Sequence, residues 1–417
     1  MYSETVEIST LKNRLQVVSD YVPGVHSVSL GMFVGVGARY ERPSEAGLTH
    51  FLEHMLFKGT DKRTARQIAV EIESRGGMLN ADTDKEHTCY YARGLAEDLD
   101  VIMDVLADMI RNASLKPEDV ELEKRVVLEE IKRANDNPED AVHELLDRTA
   151  WKGHPLGRST LGTVRTVSSL TADKLRKFMA EHYEPSSIIL AAAGKVRHRR
   201  LVRLAQKYFG DMEPVPHQRR ERTPQVRPAF KRRRRRCEQV LFSLGMPAYS
   251  YGDRRKYGLT VLDMVIGGTM GSRLFQEIRE KRGLAYDIGS STVGFRDTGL
   301  FTVSGGTSPE RFDEVLTLTR EQLERVRQEG ITDEELLQAR RRLRGVLLIG
   351  RDNITVRMMG LGRSLQALGR VPSFAEIMEE VEAITNDALV QIARDVFAPE
   401  KQVVVALGPF GKNGGGV

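Results

Sequence analysis

One order of elements can be read twice along this chain, and that repeat limits its fold more than any other feature. The first half offers a strand in HSVSLGMFVGVGAR (26–39), a helix in GLTHFLEHMLFKGT (47–60) and a hairpin in RGGMLNADTDKEHTCYYARGL (75–95). Helices over 96–112 and 116–134 follow. The second half offers a strand over 238–248, a helix containing GSRLFQEIREKRG (271–283), strands within 284–307, and helices over 308–330 and 332–350. A duplicated α+β domain is the economical explanation. Strands that return by hairpins as well as crossovers predict mixed, largely antiparallel sheets. A length of 417 residues suits two such domains. The expected boundaries are 1–213 for the first domain, 214–236 for a linker and 237–417 for the second.

The linker is predicted from charge. Net charge is only +5, yet residues 217–236 hold ten Lys/Arg together with Pro224 and Pro228. Attraction of nucleic acid or of an acidic substrate is one interpretation of that stretch. A solvated connection is preferred, because no aromatic residues are interleaved for base stacking. No apolar run approaches the roughly 18 residues of a membrane span. The N-terminus carries Glu4 and Glu7 and lacks signal- or transit-peptide character, so a cytoplasmic protein is expected. Two cysteines, Cys89 and Cys237, are too few for a disulfide framework or a Cys-based zinc site.

The helix over 47–60 carries the chemistry. His50 and His54 are four residues apart and share a face, so both rings can reach one ion. Glu53 projects toward the same place and is spaced to take a proton from water activated there, in an H-x-x-E-H order. The alternative is a pair of core histidines with Glu53 as their partner. Setting Gly271 against Gly47 puts Leu274 and Ile278 where the histidines stand, so the repeat does not need imidazoles there. A catalytic zinc takes three protein ligands and an open position. Glu123 and Glu130 lie on a common face of the helix over 116–134, beside the apolar Val120, Val127 and Ile131, whereas Glu121 and Glu129 fit a solvated face. His87 and Glu86 compete for the third place, from a strand pair.

HFLEH, with Glu130 following 76 residues beyond His54, resembles the M16 zinc metallopeptidases: the pitrilysin, insulinase and processing-peptidase group. The resemblance runs over nearly the whole chain and implies two homologous α/β-sandwich domains of the processing-peptidase type. It makes His50, His54 and Glu130 the ligands of one Zn2+ per chain, Glu53 the general base, and Glu123 a residue that orients a ligand. It also matches Arg279 and Tyr286 to an arginine and a tyrosine that the C-terminal half brings to substrate. Asn80 and Ala81 match a sheet edge to which peptide adds by main-chain hydrogen bonds.

The activity so implied is zinc-dependent endopeptidase cleavage of peptides or unfolded polypeptides in an enclosed chamber. A homodimer is expected, since one chain carries both the metal motif and the Arg–Tyr pair. The alternatives are a non-catalytic assembly subunit of the same fold and a nucleic-acid-binding protein using Arg232–Arg236. The intact motif argues against the first, and the missing aromatic pattern against the second. The tail 410–417, FGKNGGGV, is expected to be disordered.

Overall fold

The computed structural model describes residues 6–215 and 223–411. The chain begins β1 (Val6–Thr10), β2 (Gln16–Tyr21), β3 (Ser27–Val34), α1 (Leu48–Leu56), α2 (Ala65–Glu73), β4 (Met78–Thr83) and β5 (Thr88–Leu95). It continues α3 (Leu99–Asn112), α4 (Pro117–Asp136), α5 (Pro138–Ala150), α6 (Val164–Ser168), α7 (Ala172–His182), β6 (Ile188–Gly194) and α8 (His198–Phe209). The second half opens with β7 (Ala229–Arg234), β8 (Val240–Ala248), α9 (Lys256–Ile266), a π-helical segment (Phe275–Glu280), β9 (Ala285–Gly294) and β10 (Gly299–Thr307). It closes with α10 (Phe312–Glu329), α11 (Asp333–Asp352), α12 (Ile354–Leu368), α13 (Phe374–Glu382), α14 (Asn386–Val396) and β11 (Val403–Gly408).

Two mixed sheets result, as the hairpins predict, and the fold is α+β. The first has the order β1-β2-β6-β3-β5-β4, the second β7-β11-β8-β10-β9. Only β2–β6 and β7–β11 pair in parallel among the described residues. No helix among them is long and apolar enough to cross a membrane.

The sheets' apolar faces explain how the chain divides. Strands such as β6 (IILAAAG) and β11 (VVVALG) are buried on both sides, so each sheet needs two covers. One unit comprises Met1–Lys132, Arg158–Arg220 and Leu348–Ser373; the other comprises Arg133–Gly157, Glu221–Leu347 and Phe374–Val417. Each half of the sequence therefore lends a helix to the unit built mainly from the other half. In the first unit α12 covers one sheet face, packing Met358, Leu361 and Leu365 on Phe33, Ile189 and Ala191. The approach is close enough that a Cβ on Gly362 would lie 2.1 Å from the Phe33 ring. In the second unit α5 sets Val142, Leu145 and Leu146 on Val403, Val405 and Leu407. Contiguous domains 1–213 and 237–417 do not describe this arrangement.

The basic stretch is likewise only partly a connection. Residues 216–222 lie outside the described residues, but Ala229–Arg234 form β7, in register with β11. Of the tail, 412–417 lie outside the described residues, while the Phe410 ring sits 6.1 Å from that of Phe312 against the second core.

Apart from two single 3-10 turns before α1 (Ala38–Tyr40 and Pro43–Glu45), two helical segments separate the strands in both repeats: α1 and α2 between β3 and β4, α9 and the π-helical segment between β8 and β9. The counterpart of α1 is therefore α9, where Gly258-Leu259-Thr260 repeats Gly47-Leu48-Thr49. Val261 and Val265 then stand where His50 and His54 do. The Gly271–Gly47 alignment is corrected accordingly. Leu274 and Ile278, both buried, correspond to Ile68 and Ile72 of α2, which share the same four-residue spacing.

Candidate metal centre

Helix α1 is held at its N-terminal end before any ligand is considered. Gly47 precedes it at φ +91°, and a Cβ there would lie 2.6 Å from the Leu161 carbonyl oxygen. The buried Glu41 carboxylate accepts from Gly47 N at 2.8 Å and Thr49 N at 2.7 Å, satisfying two free donors of the first turn. Burial pushes Glu41 up to about 7, against those hydrogen bonds. Arg158, in the HPLGRSTLG loop, donates to the Glu41 carbonyl at 2.7 Å. Leu48, Phe51, Leu52, Met55 and Leu56 bury one face of α1 in the first core, which leaves His50, Glu53 and His54 half-buried on the other.

Helix α4 supplies the rest. Its stripe of Val120, Glu123, Val127 and Ile131 is buried, and Glu130 sits at the margin of that stripe. Glu130 Oε2 lies 3.8 Å from His50 Nε2 and 3.7 Å from His54 Nε2. The two imidazole centroids are 4.7 Å apart. One ligand atom from each of the three residues lies within 4.8 Å of the others, and no other such trio occurs among the described residues. Glu130 Oε2 is buried with no hydrogen-bond partner, although carboxylate oxygens ordinarily find one. Two imidazole nitrogens and an unsatisfied carboxylate oxygen converging on one gap suit a zinc ion.

Around this trio the charges are arranged unequally. His54 Nδ1 is 2.8 Å from Glu123 Oε1, which fixes the ring with Nε2 toward the gap. Lys58 is ion-paired to the other Glu123 oxygen. The Glu123 hydrogen bond raises His54 against the effect of burial. Burial pushes Glu123 up, but its hydrogen bonds to His54 and Lys58 outweigh that and leave it lowered. Burial, reinforced by His54, pushes His50 down to about 4, so its ring is neutral and able to bind metal at neutral pH. Glu53 accepts a hydrogen bond from the Thr83 hydroxyl, and burial raises its carboxyl nevertheless.

The competing ligands are engaged elsewhere: His87 Nδ1 is 3.0 Å from Asp84, and Glu86 pairs with Arg39 at 2.6 Å. Glu121 and Glu129 are exposed. Asn80 is exposed and Ala81 half-buried on β4, the edge strand of the first sheet. Arg279 and Tyr286 come together in the second unit, with the guanidinium 5.5 Å from the tyrosine ring centre and Tyr286 78% exposed. Sequence reasoning missed Thr83, Lys58 and Glu41. Lys58 was within reach, being only four residues beyond His54, although it lies in the bend just past the end of α1. Thr83 and Glu41 meet α1 only through the fold and leave no local signal.

A centre of two histidines from one helix and a glutamate from another, with a second glutamate carboxylate beside it, defines the class of H-x-x-E-H zinc sites. The model of the insulinase family (peptidase family M16) matches residues 16–164, and that of the M16 inactive domain matches 169–343. An uncharacterized zinc protease of Streptomyces coelicolor is 39% identical over 97% of this chain and 90% of its own length. Another, from Bacillus subtilis, is 35% identical over 96% of this chain and 98% of its own. A protease from Helicobacter pylori has the same fold, with a TM-score of 0.90 at 22% identity over 98% of this chain and all of that one. The chain belongs to peptidase family M16.

Proposed function

We propose that this protein is a zinc-dependent endopeptidase that cleaves peptides or unfolded polypeptides, with His50, His54 and Glu130 holding the metal and Glu53 as general base. The observation that carries the proposal is the convergence of three ligand atoms within 4.8 Å beside a raised, half-buried carboxylate. The names of the relatives as zinc proteases support it. Zinc in this place supplies Lewis acidity, making water nucleophilic near neutral pH and polarising the peptide carbonyl.

The protein's own groups do the remainder. Glu53 takes a proton from the attacking water and passes it to the departing amine; its raised pKa brings the two transfers closer in cost. The Thr83 hydroxyl holds one Glu53 oxygen, so the carboxylate keeps one orientation. Glu123, itself steadied by Lys58, keeps the His54 ring from rotating. The open edge of β4 at Asn80 and Ala81 suits an extended substrate, gripped through its main chain. Arg279 and Tyr286, a cation beside an exposed phenol, fit a carbonyl that gains negative charge. We further propose that two copies pair to enclose the substrate.

The test is zinc content and peptide cleavage measured in parallel on the protein and on Glu53→Gln. The proposal requires about one zinc in both and cleavage lost by roughly a thousandfold in the variant. Equal cleavage by both, or no zinc in either, contradicts it. The non-catalytic alternative predicts no cleavage by the unaltered protein at any zinc level.

A further inference from the structure

The arginine run, which the metal centre leaves unexplained, sits on a sheet edge. Strand β7 ends the order of the second sheet and pairs only with β11 among the described residues. Ala229 N donates to Gln402 O at 3.2 Å and Arg235 N to Gly408 O at 2.8 Å. Alternation along a parallel pair then turns the main-chain N–H and C=O of Phe230, Arg232 and Arg234 outward, where no strand among the described residues meets them.

The side chains divide into two groups. Arg232 is held over the rings of Phe230, Phe312 and Phe410 and paired with Asp313 at 2.5 Å. Arg235 donates to the carbonyls of Asn135 and Asp136 at the end of α4. Those two fasten the strand. Lys231, Arg233, Arg234 and Arg236 are exposed, and no acidic partner meets them among the described residues. Four uncompensated cations within six residues exceed what is needed to keep neutral strands from pairing here. Their repulsion falls when carboxylates are placed among them.

We infer that β7 is a docking edge for an extended acidic peptide segment, which adds as a further strand and sets its carboxylates against Lys231, Arg233, Arg234 and Arg236. The main chain supplies register and the cations supply selectivity. A polypeptide is favoured over a nucleic acid because the outward groups are those of a strand ladder. In addition, the one ring on this strand, Phe230, already has a guanidinium across it.

Fluorescence anisotropy tests this with the full chain carrying Glu53→Gln, so that bound peptide persists. Because neighbouring cations of β7 point to opposite faces, the probes are labelled peptides of repeating Glu-Glu-Val, which carry carboxylates on both strand faces, their Gln-Gln-Val counterparts, and a single-stranded oligodeoxynucleotide of equal charge. The Glu-Glu-Val peptide should bind at least about tenfold tighter than the Gln-Gln-Val peptide at low salt, and more weakly as salt rises. The combined Arg233→Glu, Arg234→Glu, Arg236→Glu variant should lose about tenfold or more. Arg234→Pro, which removes an outward N–H and no ladder bond, should bind severalfold more weakly than Arg234→Ala. Equal affinity for the acidic and neutral peptides, or no loss on charge reversal, overturns the proposal. Equal binding by the proline and alanine variants removes strand addition, and tighter binding of the oligonucleotide replaces the peptide as occupant.

Discussion

Helices α1 and α9 hold the same place in the two repeats and both carry Gly-Leu-Thr, yet they spend their next residues differently. In α9, Val261 and Val265 are buried in the second core. In α1, His50 and His54 face Glu130 across a gap instead. The exits differ too. After α9, Gly267 and Gly268 turn back onto Asp263 O at 3.0 and 2.8 Å. After α1, Thr60 and Arg63 are tied to Asp108 at 2.7 and 2.8 Å, and Arg63 to Glu71 at 2.7 Å. The fold is thus complete with valines at these positions. The imidazoles are an addition that faces the buried, unpartnered Glu130 Oε2 across a gap. Such a centre costs stability until a cation satisfies it.

The sharpest way to break the comparison is to make α1 resemble α9. His50→Val with His54→Val should abolish zinc binding and lower cleavage by more than about a thousandfold. The melting temperature of the metal-free chain should stay within about 3 °C of the parent or rise, as calorimetry would show. A collapse of the metal-free fold would mean that the histidines are core residues after all. The reciprocal change, Val261→His, puts an unpartnered ring into a filled core and should destabilise the second unit by about 2–4 kcal/mol in denaturant titrations.

Smaller effects separate the ligand from its support. Glu123→Gln keeps the shape but weakens the hold on His54, so zinc affinity in competition titrations should fall about 10- to 100-fold with the fold intact. The exits give the smallest effect. Burial raises Asp104, but hydrogen bonds from Lys62 and Arg63 outweigh it and hold the carboxyl at about 2, below its ordinary 3.8. With the folded pKa depressed, this stability is present above the ordinary value and lost as pH falls toward the folded one. It amounts to at most about 2 kcal/mol. Asp104→Asn should flatten the acid-unfolding curve over that window.

How much was readable in advance follows from which contacts are local. His50, Glu53 and His54 announce themselves because helical spacing places them together whatever surrounds them. Glu123 and Glu130 show as acids beside an apolar stripe, since two turns of helix return them to one face. The sheet order could be sensed only as mixed pairing. An amphipathic stripe says that α5 and α12 each bury a face, but not which sheet receives it, so their exchange between units was invisible. Charge hid β7, because one lysine and three arginines in succession erase the alternation by which a strand is recognised. The counterpart of α1 was misplaced for a similar reason: Gly271, Leu274 and Ile278 mimic its spacing locally, and only the count of helices between strands corrects the pairing.

The account rests on one ion held by residues of two helices. X-ray absorption at the zinc edge on the purified protein tests it most directly. The expected result is one zinc per chain, with two imidazole nitrogens at about 2.0–2.1 Å and a carboxylate oxygen at about 2.0–2.2 Å, the oxygen contribution lost in Glu130→Gln. A protein that binds no zinc, or a zinc whose surroundings contain no imidazole pair and do not change in Glu130→Gln, would contradict it.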